Sequence, residues 1–167
     1  RPKTGNYTLS FLESYRHGSQ NLVTGTPGKD EIPPVPVPAA GLLPTDPWQR
    51  AQALSTFAWM NNSVHPTFTH VFRPSNFASG EPAQEDVKAF AVAKFREHLE
   101  RIQSLIAHAS PWLLGENISF VDFYALVFLR WGGFANIDPA SLPAYKAFVD
   151  RVAAHPAVAS AMAREGI

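Results

Sequence analysis

The sequence predicts an all-α fold, a bundle of about five helices preceded by an irregular proline-rich arm, and three observations carry that prediction. Residues Phe123 to Leu129 show no polar face at all, and a helix apolar on every side is either surrounded by protein or spans a membrane. The run is shorter than the about 20 residues a span needs, and Asp122 and Arg130 bracket it. Two long stretches, from Pro47 to Arg73 and from Ala83 to His108, place apolar residues at three- and four-residue spacing, the period of a helix buried along one side. Helix-start signals recur at Asp46-Pro47, at Ser119 with Asp122, and at Asp138-Pro139, each combining a capping side chain with a proline or an acidic first turn.

Composition narrows the partners. The 167 residues have a formal net charge of zero, and no basic stripe is visible, which argues against nucleic acid or an anionic membrane surface as partner. There is no cysteine, which excludes disulfides, thiolate catalysis and cysteine-held metal; a cytoplasmic protein fits such a composition. The six histidines are scattered: His65 and His70, five apart, do not share a helix face, and no HExxH or His–carboxylate cluster supports a metal. No phosphate loop or nucleophile elbow is present. The chain opens on Arg1 rather than methionine, as a fragment or processed product would.

Taken in order, residues 1–41 form the arm. Tyr7 to Leu12 alternates enough for one short strand, and Pro33-Pro34-Val35-Pro36-Val37-Pro38 blocks helix and favours an extended path. The domain of interest is 42–167. Its first helix starts at Thr45-Asp46-Pro47, with an inner stripe of Leu54, Ala58, Asn61, His65, Phe68 and Phe72. Pro66 within it removes one N–H and predicts a kink. The second helix buries Val87, Ala91, Phe95, Leu99, Ile102 and Ile106, with Glu97 and Arg101 spaced to pair across one turn. The core helix is predicted to open with a capping box, Ser119 accepting from the Asp122 N–H and the Asp122 carboxylate accepting from the Ser119 N–H, and to stop at Gly132-Gly133. Asp138-Pro139 starts a helix with Leu142, Tyr145, Phe148, Val149 and Val152 inward. Pro156 opens a short last helix through Val158, Ala161 and Met162.

The segments GLLP-x-DPWQRA, VHPTFTHVFRP, WLLGENISFVDFYALVFLRW and LPAYKAFVDRVAAHPAVASAMAREGI, in that order, closely resemble the C-terminal helical domain of bacterial glutathione S-transferases, nearest the beta class. The resemblance covers Gly41 to Ile167. It implies glutathione as co-substrate, hydrophobic small molecules as electrophiles, and a homodimer. In that family a thioredoxin-like domain precedes the helices, supplies most of the glutathione site and carries the thiol-activating residue. Forty residues cannot encode it. Arg1-Pro2-Lys3-x-Gly5 and Leu12-Glu13-Ser14 are faintly like its Asn-Pro-Lys-Gly and Leu-x-Glu-Ser elements, at too short a spacing. No residue of this chain is therefore assigned a catalytic role, and the dimer is expected to be weaker or rearranged. A ligand-binding or protein-interaction module of the same fold is the alternative.

The resemblance points to His65, whose family counterpart faces the cleft between domains near glutathione; the other reading is a core histidine satisfied by a neighbour such as Asn61. Around it the match decays: the beta-class glutamate falls at Ser63, its asparagine at Ala58, and the lysine after the histidine at Pro66. Those losses weaken the case for glutathione held in the beta-class manner. Trp131 matches an aromatic residue that lines the hydrophobic-substrate pocket, and Phe68, Phe72 and Tyr124 are candidate walls, although aromatics at helical spacing also read as plain core. Ser119 and Asp122 read as structural.

Overall fold

The computed structural model of this chain describes residues 41–167. The expected arm, its short strand and its faint likeness to an N-terminal domain all lie outside the described residues, Gly41 excepted. Among the described residues the regular elements are all helical, and the single β-bridge there, Trp112 with Gly115, is isolated. The elements are α1 (Pro47–Trp59), a π turn (Met60–Val64), α2 (His65–Phe72), α3 (Glu81–Ile106), α4 (Phe120–Gly132), α5 (Pro143–Ala153) and α6 (Pro156–Glu165). With α1 and α2 joined through the π turn into one bent rod, the bundle has five helices, as expected.

α4 is the central rod, touching α1, α3 and α5. Its entry is clasped by one carboxylate. The Ser119 backbone N–H and hydroxyl both donate to Asp122 Oδ2, each at 2.7 Å, and the Leu113 N–H donates to Oδ1 at 2.9 Å. The capping box is present in both directions, with its stronger half on the carboxylate rather than on the serine oxygen. Asp122 is fully buried; burial pushes its carboxyl above the usual range and the bonds from Leu113 and Ser119 pull it back. One expectation needs correction: α4 is not dry all round. Phe123 and Val127, one turn apart, are only half-buried, while Tyr124, Ala125, Leu126, Phe128 and Leu129 are buried. α4 does end at Gly132, with Gly133 as its C-cap, as expected. Both stay right-handed, a 3-10 turn follows over Gly133–Ala135, and the left-handed residue is Asn136. Gly132 lies close to α3: a Cβ there would meet Leu99 Cδ1 at 3.3 Å and push that methyl group back by a few tenths of an ångström.

In the α1–α2 rod, Asp46 caps the start by accepting from the Gln49 N–H at 2.9 Å, with Pro47 at the first helical position. The predicted kink before Pro66 takes the form of the π turn, in which the His65 N–H reaches the Met60 carbonyl. A π turn carries the hydrogen-bond ladder past a residue that cannot donate. The predicted inner stripe is rotated by one residue. The buried line is Ala53, Phe57, Met60, Val64, Phe68 and Val71, whereas Leu54 is 42% and Phe72 53% exposed. Both stripes are uncharged, and only the buried one lacks polar side chains; Asn61 and His65 mark the flank.

α3 buries Ala91, Phe95, Leu99, Ile102 and Ile106 as predicted, with Val87 half-buried. Glu97 pairs with Lys94 at 2.7 Å rather than with Arg101, whose guanidinium sits over the Trp59 ring at 4.1 Å. Asp138 caps a 3-10 turn over Pro139–Ser141, and α5 begins only at Pro143. The inward residues of α5 are those expected. Fully buried Tyr145 donates to the Ala125 carbonyl at 2.7 Å, fixing α5 to α4. α6 presents half-buried Val158, Ala161 and Met162.

The clasp yields a ranked prediction. Ser119→Ala should lower stability by about 0.5–2 kcal/mol. Asp122→Ala, which leaves the Leu113 and Ser119 N–H groups without an acceptor, should lose about 1–3 kcal/mol for each orphaned donor. Urea unfolding of both variants checks the order, and equal losses would show that the carboxylate is not the centre of the clasp.

Candidate functional site

The rotated stripe has a consequence for function. Asn61, His65 and Phe72, expected inside, lie on the flank of the α1–α2 rod that runs beside α4. Asn61 and His65 are half-buried there. The buried Tyr124 hydroxyl joins them: it donates to Asn61 Oδ1 at 3.2 Å and lies 3.2 Å from His65 Nδ1. The hydroxyl therefore bridges the Asn61 amide and the His65 ring. The Asn61 amide nitrogen donates to Asn62 Oδ1 at 3.1 Å, consistent with its oxygen facing Tyr124. His65 is thus satisfied by a neighbour, as one reading held, but through Tyr124 rather than by Asn61 directly.

An aromatic wall continues from His65. Its ring meets Trp131 edge-on, with centroids 5.1 Å apart at 70°. Trp131 stacks on Phe68 at 4.4 Å and 17°, and Phe68 stacks on Phe72 at 5.9 Å and 14°. All six predicted ligand-site residues therefore fall in one connected group: Asn61, Tyr124 and His65 at the polar end, Trp131, Phe68 and Phe72 at the apolar end. Phe68 is also core, lying against Phe95. Ser119 and Asp122 stand apart, at the start of α4, in the structural role already described.

Two members went unanticipated. Phe134, 64% exposed, stands edge-on to both Phe68 and Phe72. It was missed because α4 was expected to end the element at Gly132-Gly133, although its spacing of three from Trp131 was legible. Arg73 places its guanidinium carbon 5.9 Å from the centroid of the Phe72 ring.

Two clefts of the bundle lie elsewhere. One, of about 430 Å³, is lined by Thr67, His70, Asp86, Val87, Phe90, Ala91 and Lys94 between α2 and α3. The other, of about 320 Å³, lies among α4, α5 and α6. Neither contains a predicted site residue. The aromatic wall differs from both clefts in joining stacked rings to a hydrogen-bonded polar end, the combination that orients small ligands. No group of His, Asp or Glu among the described residues is placed to hold a metal, and no helix there is long and apolar enough to cross a membrane.

The family model for the glutathione S-transferase C-terminal domain matches residues 59–156. Glutathione S-transferase GST-4.5 of Xanthomonas campestris pv. campestris is 29% identical over 118 residues, 71% of this chain and 57% of that protein. A glutathione transferase homologue from Sulfitobacter, solved with bound glutathione, superposes with a TM-score of 0.70 at 28% identity, over 78% of this chain and 62% of the other. A beta-class glutathione S-transferase of Sphingomonas chungbukensis superposes with a TM-score of 0.65 at 27% identity, over 78% and 61%. The chain thus spans less than two thirds of the length of each.

Burial lowers the proton affinity of His65 below its ordinary value of 6.5. His98 is lowered too, first by burial and then by Lys94 and Arg101, against an opposing influence of Glu97. Below about pH 6.5 the unfolded chain takes up protons that the folded one resists, so these groups make stability fall as pH drops from about 6.5 through the lowered folded values. His65→Gln should flatten that fall relative to the parent chain between about pH 7 and 5, read from urea midpoints. Parallel curves for the two proteins would show that His65 titrates as it does in the unfolded chain.

Proposed function

Since the chain belongs to the glutathione S-transferase family through its C-terminal domain, we propose that it supplies the electrophile side of a glutathione-conjugating site. The observation that carries this reading is the wall of Trp131, Phe68, Phe72 and Phe134 running out from His65. Flat apolar ligands find ring faces and edges there, while the Tyr124–Asn61–His65 group offers polar contacts at one end. Glutathione is the co-substrate in this proposal, supported by the family and by the glutathione bound in the Sulfitobacter homologue. Conjugation is attack of a glutathione thiolate on an electrophilic carbon, and the thiolate needs a group that lowers its pKa. No residue among Gly41–Ile167 is assigned that task. The proposal includes a cytoplasmic location and a homodimer weaker or rearranged relative to the family's. Light scattering tests the dimer, and a strict monomer across micromolar concentrations would remove it.

The second reading, a module that holds apolar ligands or partner chains without turnover, rests on the absence of an assigned thiol-activating group from Gly41–Ile167. Retention on immobilised glutathione with conjugation of a chlorinated nitroarene supports the first reading. Binding of a hydrophobic dye without either supports the second.

Both readings use the same wall, which makes it testable. Phe72 is half out of the protein, so Phe72→Ala should leave the bundle intact. Loss of one aromatic stack, worth about 0.5–1.5 kcal/mol, corresponds to about a 2- to 12-fold weaker affinity for a flat arene. Affinity unchanged by Phe72→Ala, measured by equilibrium dialysis, would take the wall out of the site.

A further inference from the structure

Resting on the electrophile-pocket reading, we propose that the site favours planar aromatic electrophiles bearing an anionic substituent, and that Arg73 is the residue that selects them. Trp131, Phe68 and Phe72 form a continuous column of near-parallel rings, with interplanar angles of 17° and 14°. The column ends in a cation: the Arg73 guanidinium lies 5.9 Å from the Phe72 centroid. Phe134 crosses Phe72 at 74°, so these two exposed rings make a near right-angled corner beside that cation. An arene seated in the corner stacks on one ring and meets the edge of the other, geometries that aromatic pairs favour.

Arg73 is held in place by its backbone, and its head lies over the Phe72 ring with its hydrogen-bonding fork directed to no carboxylate among the described residues. It caps α2, its N–H bonded to the Thr69 carbonyl at 2.8 Å, and Pro74 after it restricts its backbone further. Its side chain makes no ion pair among the described residues, where the paired cations are Lys94, Arg96 and Lys146. A guanidinium offers a planar fork of donors that fits a carboxylate through two parallel bonds. A carboxylate or sulfonate on the rim of a stacked arene answers both features at once; a neutral arene answers only the rings.

The test uses the 167-residue chain and two probes of the same substitution pattern, a chloronitrobenzoate and the corresponding chloronitrotoluene, measured by equilibrium dialysis. The benzoate should bind about 5-fold tighter at low ionic strength, the upper range for an exposed ion pair. That ratio should approach one in about 0.5 M salt, where screening is strong. Arg73→Gln should bring the ratio to about one, and Arg73→Lys should retain part of it through charge without the fork; thermal melts confirm that each variant is folded. If the toluene binds in a Phe72-dependent way while the benzoate gains nothing, or if the gain survives Arg73→Gln, the role of Arg73 is overturned and the pocket stands. If neither probe binds, or if binding ignores Phe72→Ala, the pocket reading falls and this proposal falls with it.

Discussion

The arrangement of this domain depends on one buried carboxylate. Asp122 collects the N–H and hydroxyl of Ser119 and the N–H of Leu113, so a single side chain starts α4 and ties down the loop that delivers it. Taking a carboxylate out of water is unfavourable, and burial does raise its proton affinity. Three donors at 2.7 to 2.9 Å oppose that penalty in part and converge on one side chain, which makes the geometry specific. Once α4 is set, the helices around it have a reference: α1 and α3 pack on it, and the Tyr145 hydroxyl fixes α5 to the Ala125 carbonyl.

Much of this was legible before any coordinates. The clasp announced itself as serine and aspartate three apart ahead of an apolar run, because capping is a local matter of few residues. The α3 stripe was equally plain, with its charged residues on one side and its apolar ones on the other. The α1–α2 rod was not. From Ala51 to Phe72 no charged residue breaks the pattern, so two neighbouring stripes compete and periodicity alone cannot rank them. The polar residues Asn61 and His65 held the answer, as markers of a flank. The choice of Arg101 as the partner of Glu97 failed for a related reason: spacing admits several partners on an exposed helix, and Trp59 from another element claimed the arginine.

The site divides along the same line. That Asn61, His65, Phe68, Phe72, Tyr124 and Trp131 form one group follows from the resemblance and from helical spacing. The way they connect does not, because the Tyr124 bridge and the Trp131–Phe68–Phe72 stack join α1–α2 to α4, and pairings across elements have no sequence period. Phe134 and Arg73 were overlooked for want of a regular element to hang them on; each sits just past a helix end, where backbone direction changes within a residue or two.

The π turn at Met60–Val64 sets the angular phase between the two halves of the bent rod. A single residue removed there would return the ladder to ordinary helical pitch and leave α2 near its present phase, because five residues of π pitch turn about as far as four of α pitch. The turn thus absorbs one extra residue ahead of His65, and Phe68 and Phe72 keep the phase on which the ring column depends.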